Sequence, residues 1–220
     1  MAICIVIPAY NAAATIVPVV REVVSQGYPV LVIDDGSNDG TASLVSGKAV
    51  KCISHRSNRG KGAALRTGFR CALEEGYNAI VTIDSDGQHD PSAIPRLAAS
   101  AEERKLDILI ASRATQFEEM AGLRSSWNRF GVWCMEKRTG FEITDSQSGF
   151  RYYTARLLKN VELAADGYEM EMEVLMKAWR SGYAIGSIPV AARVADGRST
   201  SHYRPVRDTW NICMTFLKYM

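Results

Sequence analysis

The sequence predicts an α/β fold with a mostly parallel, twisted sheet flanked by helices, organised as a single domain. Short, nearly continuous apolar runs alternate with amphipathic segments, as they do in βαβ units. Gly27 and Gly76 stand where two of the predicted helices end. A polar cluster follows each apolar run, which is typical of a sheet whose carboxyl edge binds a ligand.

The first half of the chain alternates predicted strands and helices. Its apolar runs fit strands that are buried on both faces. The strands are predicted at residues 2–7, 30–33, 50–53, 79–83 and 108–111. Apolar residues at helical spacing between them predict helices at residues 13–25, 41–46, 61–75 and 92–104.

The second half of the chain departs from this regular alternation. Residues 115–142 mix charges with large apolar side chains, which predicts a helix bordering a cleft. A turn that enters a strand is expected at residues 145–153. A helix follows at residues 168–180 and a strand at residues 184–190. We expect the domain to span residues 1–206, with an amphipathic helix at residues 207–220.

Composition excludes several classes of protein. The chain has 220 residues, 47% of them hydrophobic, and a net charge of +2, so nothing indicates a nucleic-acid-binding protein. The five cysteines are scattered without Cys-x-x-Cys spacing, which favours a reducing compartment over zinc or a disulfide framework. No uncharged apolar run reaches the roughly 18 residues of a membrane span, and the expected location is cytoplasmic.

Charge is less even near the C-terminus. Five basic residues face only two acidic ones there, which favours an anionic partner for this surface. The basic residues are Arg193, Arg198, Arg204, Arg207 and Lys218, and the acidic ones are Asp196 and Asp208.

Two carboxylates directly follow the predicted strand at residues 79–83. Side chains two positions apart in extended backbone point the same way, so Asp84 and Asp86 can converge at the strand's end. Two carboxylates held together repel each other unless a cation or a proton lies between them. Hard oxygen ligands suit Mg²⁺ or Mn²⁺, and Gln88 offers another oxygen. The alternative is a polar loop that caps a helix beginning near Pro91.

Five motifs, in order along almost the whole chain, resemble the family 2 glycosyltransferases of the GT-A fold. The closest resemblance is to the dolichyl- and polyprenyl-phosphate mannosyl- or glucosyltransferase branch. The motifs are IPAYN at residues 7–11, DDGS at 34–37, NRGKG at 58–62, DSDGQH at 84–89 and SGFR at 148–151. An Asp-x-Asp pair alone is a weak signal, whereas the ordered set is specific.

The resemblance implies a nucleotide-diphosphate-sugar donor bound by residues 1–113 and an acceptor bound by residues 114–206. It implies Mg²⁺ or Mn²⁺ as the cofactor, held by Asp84, Asp86 and Gln88. The implied donor-binding residues are Pro8, Tyr10, Asn11, Asp35, Gly36, Gly60, Lys61, Asp84 and Ser85.

Four arginines are candidates for neutralising the charge of the leaving diphosphate: Arg113, Arg124, Arg193 and Arg198. Each one taken singly also fits a surface position. The predicted catalytic residues are Asp86, Arg113, Arg193 and Glu171. Arg124 and Arg198 are predicted to hold the acceptor's phosphate.

The resemblance also implies inversion of the sugar by direct displacement, with a lipid phosphate as the attacking group. A lipid phosphate is already an anion and needs no general base, whereas a hydroxyl acceptor on a glycan or lipid needs a carboxylate base. Glu171 and Glu173 are the candidates. Two residues apart on a helix, they cannot share a face. We expect Glu171 to face the cleft and Glu173 to be a surface charge.

Two departures from the branch leave its details open. Ala12, Ala13 and Ala14 stand where many members carry an acidic residue, so the donor base can be uracil or guanine. The late Gly-Ser-Lys motif is replaced by residues 197–200, where arginine serves phosphate at least as well.

Two other functions fit parts of this pattern. A nucleotidyltransferase would carry a glycine-rich loop with arginine after the first strand, where this chain has Pro8 to Asn11. A non-catalytic nucleotide-binding domain stays an alternative.

The C-terminal segment has a pattern with three interpretations. A helix from residue 207 gathers Trp210, Met214 and Leu217 on one side. That side fits the interface of an anionic membrane, which would place the protein peripherally at the inner face of the cytoplasmic membrane. It fits equally a helix packed on the domain's own core or in a homo-oligomer.

Overall fold

The computed structural model of the protein describes residues 1–45, 47, 49–113, 136, 140, 145, 147–191, 193 and 204–220. The predicted helix within residues 115–142 falls almost wholly outside these ranges, as do Arg124 and Arg198. The roles predicted for these two arginines stay predictions.

A seven-stranded sheet with the order β3-β2-β1-β4-β6-β5-β7 forms the centre of the fold. All neighbouring strands run parallel except β6, which is antiparallel to both β4 and β5. The strands are β1 Ile3–Ala9, β2 Val30–Asp34, β3 Val50–Ser54, β4 Ala79–Thr82, β5 Ile108–Ser112, β6 Arg151–Thr154 and β7 Ile185–Pro189. The predicted mostly parallel α/β sheet is therefore confirmed.

Helices cover both faces of this sheet. They are α1 Ile16–Ser25, α2 Thr41–Leu44, α3 Lys61–Glu74, α4 Ile94–Glu103, α5 Ala155–Asn160, α6 Met170–Arg180 and α7 Pro205–Tyr219, with a 3₁₀ turn at Pro91–Ala93 before α4. The sequence did not predict α5, whose first turn is capped by the Thr154 hydroxyl accepting from the Leu157 N–H at 3.3 Å. The other helices were expected, with ends shifted by a few residues.

Alternating side chains of each strand fill two separate cores. In β1, Cys4 and Val6 pack with α3, α5 and α6, whereas Ile5 and Ile7 pack with α1 and α4. Strands buried on both faces carry apolar residues on both faces, which is why their sequences read as continuous apolar runs. In β2 and β4 the polar residues, Asp34 and Thr82, accordingly stand at the ends of the strands.

Helix α7 is docked on the domain, mainly against α6. Ile212 is buried in the core, and Phe216 and Tyr219 pack against it. Helix α7 therefore packs on its own domain, but not through the predicted side, because Trp210, Met214 and Leu217 are exposed. Among the helices of the described residues, none combines the length and apolar character that a membrane span requires.

The expectation that Glu173 is a surface charge is wrong. The residue is only 1% exposed. It accepts hydrogen bonds from the N–H groups of Ala164 and Ala165 at 3.0 and 2.8 Å and from the Tyr219 hydroxyl at 3.1 Å. Lys177 lies 2.8 Å away. Glu171 and Glu173 do point in different directions, but the second direction leads into the contact between α6, α7 and the loop before α6.

The Glu173 contacts predict a pH-dependent contribution to stability. Burial acts to raise the pKa of Glu173, but the hydrogen bonds from Lys177, Ala165 and Ala164 outweigh burial and lower it. A carboxyl whose pKa is lowered by folding stabilises the fold above its unfolded pKa of about 4.3, and that contribution is lost on acidification. We expect Glu173→Gln to lower the free energy of unfolding by about 2 kcal/mol at neutral pH. The difference should shrink below about pH 4.

Urea unfolding of the wild type and Glu173→Gln over this pH range measures the effect. Glu103→Gln, an exposed change on α4, serves as the control and should have little effect at any pH. A Glu173→Gln variant as stable as the wild type at neutral pH would contradict the assigned contacts.

Candidate active site

A cavity of about 760 Å³ opens at the carboxyl edge of the sheet, beside the ends of β1, β2 and β4. The chain leaves β1 for β2 on one side and reaches β4 on the other, which makes this the crevice where open α/β sheets bind ligands. Most of the predicted donor and metal residues line it: Pro8, Tyr10, Asn11, Asp35, Gly60, Lys61, Asp84, Ser85, Asp86 and Gln88. Arg113 and Glu171 line it too. The structure thus brings residues from four of the five motifs to one place.

Lys61 is the central cation of this cavity. It is the first residue of α3, and its ammonium lies 2.7 Å from Asp84 Oδ1 and 2.9 Å from Glu171 Oε1. Burial acts to lower the pKa of Lys61, but the charges of Asp84 and Glu171 raise it, so the side chain is charged. One cation therefore joins the loop after β4 to helix α6, which stand on opposite sides of the cavity.

The pKa values of the three acidic residues near Lys61, which are Asp84, Asp86 and Glu171, are shifted in different directions. Burial acts to raise the pKa of Asp84, yet the charge of Lys61 lowers it. Burial and the negative charge of Asp84 raise the pKa of Asp86. Burial also raises the pKa of Glu171, against the effect of Lys61. Negative charge at this edge therefore exceeds what Lys61 neutralises, and a further cation would relieve it.

The oxygen donors here fit a hard divalent cation only in part. Asp86 Oδ1 accepts from the Gln88 N–H at 2.9 Å, which folds the loop back at Gly87 and keeps Gln88 on the cavity wall. Two carboxylates and one amide are fewer ligands than Mg²⁺ or Mn²⁺ requires, and the described residues hold no cluster of three or more acidic, histidine or cysteine ligands. A bound diphosphate would have to supply the remaining oxygens.

Asp84 is confined on its other side by two residues that sequence reasoning did not single out. Gly149 lies against its carboxylate, and a Cβ at this position would overlap both carboxylate oxygens. His89 is 2% exposed, and its Nε2 has no hydrogen-bond partner among the described residues and lies 3.8 Å from Asp84 Oδ2. Burial lowers the pKa of His89 to about 4, so its ring is neutral at neutral pH. His89 and Gly149 both belong to the motifs of the resemblance, and this membership was the signal in the sequence that pointed to them.

Asp35 holds the loop before α3 in place. Its carboxylate accepts from the N–H groups of Arg59 and Gly60 at 3.0 and 2.7 Å, and His55 Nδ1 lies 2.7 Å away. Gly60 has φ +101° and leaves no room for a Cβ beside the carbonyl of Asp166. Asp35 is 3% exposed, so most of its surface is used by these protein contacts. Its predicted contact with the donor stays a prediction.

Asn11 of the first motif and Ser37 of the second connect the loops that follow β1 and β2. The Asn11 N–H donates to Ser37 Oγ at 2.8 Å, and Asn11 Oδ1 accepts from the Asn38 N–H at 2.9 Å. Asn11 has φ +50°, a conformation that asparagine tolerates better than most residues. Gly36 is absent from the cavity wall and lies instead where the chain passes close to the backbone of Ser57 and Asn58.

The two predicted catalytic arginines that the structure describes occupy different places. Arg113 lies on the cavity wall, and its Nε is 3.1 Å from Asp145 Oδ2. Arg193 is not among the residues on the wall. Its guanidinium binds Glu22 at 2.6 Å and Asp90 at 2.9 Å, and its backbone N–H donates to the Gln88 carbonyl at 2.8 Å. Arg193 therefore contacts the loop of Gln88 without lining the cavity.

Arg151 is a fully buried cation of the SGFR motif for which the sequence suggested no role. Its Nε donates to the Ser148 carbonyl at 2.7 Å, and a guanidinium N–H donates to the Glu171 carbonyl at 2.9 Å. It therefore ties the loop that contains Gly149 to the first turn of α6. Other wall residues that the sequence did not suggest include Arg59, Tyr168 and Asn211. Arg204 and Arg207, predicted only as part of a basic surface, also line the wall.

Comparison with known proteins agrees with this geometry. An undecaprenyl-phosphate mannosyltransferase of Micrococcus luteus is 31% identical over 86% of this chain and 83% of its own length. A UDP-N-acetylglucosamine–dolichyl-phosphate N-acetylglucosaminyltransferase of Methanococcus voltae is 29% identical over 86% of this chain and 84% of its own. The chain also superimposes on a glucosyl-3-phosphoglycerate synthase of Mycobacterium tuberculosis, solved with Mn²⁺, UDP and glucosyl-3-phosphoglycerate. That match has a TM-score of 0.80 and 20% identity, and covers 99% of this chain and 79% of the other.

The family model for glycosyl transferase family 2 matches residues 4–161, which include β1 to β6 and the cavity's acidic edge. The resemblance and the GT-A fold expected from it are confirmed, and the chain belongs to glycosyl transferase family 2.

Proposed function

We propose that this enzyme is a metal-dependent, inverting hexosyltransferase that uses a UDP- or GDP-linked hexose as donor and a polyprenyl phosphate as acceptor. The observation that carries the proposal is the convergence of Asp84, Asp86 and Gln88 with Lys61 in one cavity at the sheet's switch point. Relatives named for transfer to undecaprenyl and dolichyl phosphate support the acceptor class. A protein with this activity works at a membrane surface, which we propose is the cytoplasmic face.

The donor's nucleoside would lie over the loops after β1 and β2. Pro8, Tyr10 and Asn11 line this part of the cavity, and Asp35 fixes the loop that leads to Lys61. Lys61 is the first residue of α3, so a helix N-terminus and an ammonium border this space. This combination suits a diphosphate beside a ribose.

Asp84, Asp86 and Gln88 would hold Mg²⁺ or Mn²⁺ against that diphosphate. When bound, the ion would neutralise the negative charge that develops on the departing diphosphate. Arg113, on the same wall, would assist this neutralisation. In the transfer an oxygen of the acceptor phosphate attacks C1 of the hexose. The bond from C1 to the diphosphate breaks, and the nucleoside diphosphate leaves with the electron pair.

Loss of either acidic side chain should abolish this reaction. We expect Asp84→Asn and Asp86→Asn to lower transfer to undecaprenyl phosphate by at least about a hundredfold, because each removes charge that holds the ion. The measurement is transfer of radiolabelled hexose from UDP- and GDP-linked donors, with Mn²⁺, with Mg²⁺ and with EDTA. The exposed change Glu103→Gln is the control. Full metal-dependent transfer by Asp86→Asn would overturn the assignment.

A second candidate function is transfer of the same hexose to a hydroxyl group of a glycan or lipid. Glu171 favours it, because its carboxylate is buried on the cavity wall and its pKa is raised by that burial. Such a carboxylate can take a proton from a hydroxyl. With a lipid phosphate as acceptor, Glu171 would instead serve to hold Lys61.

The pH dependence of kcat separates these two functions. If Glu171 is a base, kcat falls as the pH drops through its raised pKa, and Glu171→Gln removes that acidic limb and costs about a hundredfold or more in kcat. If the acceptor is a phosphate, we expect the limb to persist in Glu171→Gln, because it reflects the acceptor's own second pKa of about 6. Glu162→Gln, an exposed change before α6, is the matched control. Loss of the limb in Glu171→Gln alone would favour the hydroxyl acceptor.

A further inference from the structure

Helix α7 presents three different surfaces. One packs on the domain through Ile212, Phe216 and Tyr219. A second, formed by Arg207, Asp208 and Asn211 together with Arg204 just before the helix, is part of the cavity wall. The third is exposed and apolar. We define it as the α7 stripe, which consists of Val206, Trp210, Met214 and Leu217, with exposures of 86%, 66%, 44% and 55%.

The α7 stripe concentrates the exposed apolar surface of the chain. Among the described residues, the large exposed apolar side chains outside the C-terminal segment are only Met1 and Leu44. The four stripe residues follow one another at spacings of four, four and three, so they lie in one line along the helix. Scattered exposed apolar residues need no explanation, but a continuous line of them marks an interaction surface.

Arg204 and Arg207 stand where this stripe meets the cavity. Both side chains are exposed, and neither guanidinium has a hydrogen-bond or ion-pair partner among the described residues. Arg113 and Arg193, by contrast, each bind a carboxylate. Asp208 is the nearby negative charge, and its carboxylate accepts a hydrogen bond from the backbone N–H of Arg204 at 2.6 Å. Two guanidinium groups at a cavity mouth, with no partner in the part of the chain that the structure describes, suit a phosphate.

We infer that α7 is the element that binds the acceptor, a polyprenyl phosphate in a bilayer. Arg204 and Arg207 hold its phosphate at the cavity mouth, and the α7 stripe lies against hydrocarbon at the bilayer surface. This inference rests on the proposed function and deepens it. A water-soluble phosphate would use the arginines but not the stripe. The stripe's continuity with the arginines therefore favours a ligand that has both an anionic head and an apolar tail.

Two double variants test the two parts of the surface separately. Arg204→Gln with Arg207→Gln removes the phosphate contacts, and Trp210→Gln with Leu217→Gln removes the apolar line. All four side chains are exposed, and thermal melts check that the variants fold. The matched controls are Arg96→Gln and Leu44→Gln, exposed residues of the same types on other parts of the domain.

The first measurement is transfer to undecaprenyl phosphate in phosphatidylcholine vesicles and to 3-phosphoglycerate in solution. We expect each double variant to raise the KM for undecaprenyl phosphate by about tenfold or more, and to raise it more than the KM for the donor. The controls should stay within about twofold of the wild type. An unchanged lipid KM in the stripe variant, or transfer to 3-phosphoglycerate in preference to the lipid, would overturn the inference.

The second measurement needs no transfer. Co-sedimentation with phosphatidylcholine vesicles, with and without undecaprenyl phosphate, should show binding that depends on that lipid and is lost in both double variants. Light scattering that shows a dimer broken by the stripe variant, with vesicle binding intact, would assign the stripe to a second copy and overturn the inference. Absence of donor-nucleotide binding by the wild type would instead count against the proposed function, so the two failures are distinguishable.

Discussion

The contact of Lys61 with Asp84 and Glu171 is the interaction on which the rest of the site depends. Asp84 belongs to the loop after β4 and Glu171 to α6, and these elements are distant in sequence. A single ammonium between them allows both carboxylates to lie at one cavity without repelling each other. Lys61 in turn is fixed by the loop before α3, which Asp35 holds through two backbone N–H groups. The second, third and fourth motifs are therefore joined to one another by direct contacts.

A second set of contacts surrounds Asp84 on the side away from the open cavity. Gly149 admits the Asp84 carboxylate, Arg151 ties the Gly149 loop to α6, and His89 closes the buried side of Asp84. These residues touch the acidic edge without facing the open cavity. Their effect is to restrict where Asp84 can lie, which matters because a metal-bound diphosphate requires ligands held in place before it arrives.

The sequence predicted the location of the site because parallel strands end at the same edge. Each polar cluster follows an apolar run, so the alternation of elements alone was enough to bring Tyr10, Asp35, Lys61 and Asp84 together. What it did not predict depends on contacts between distant segments. Arg193 turns to Glu22 and Asp90, Glu173 is buried by a loop and by Tyr219, and β6 enters the sheet antiparallel between β4 and β5. Periodicity carries no information on such pairings. Arg204 and Arg207 were predicted only as part of a basic surface, because their position at the cavity depends on how α7 docks.

The most direct test of the central claim is calorimetric titration of UDP and GDP, each with and without Mn²⁺, into the wild type and two glycine variants. Gly149→Ala would force a methyl group into the Asp84 carboxylate, whereas Gly47→Ala adds the same group in open space. The account predicts metal-dependent binding of one nucleotide, weakened in Gly149→Ala and unchanged in Gly47→Ala. Binding that is independent of Mn²⁺, or no binding by folded wild-type protein, would contradict it.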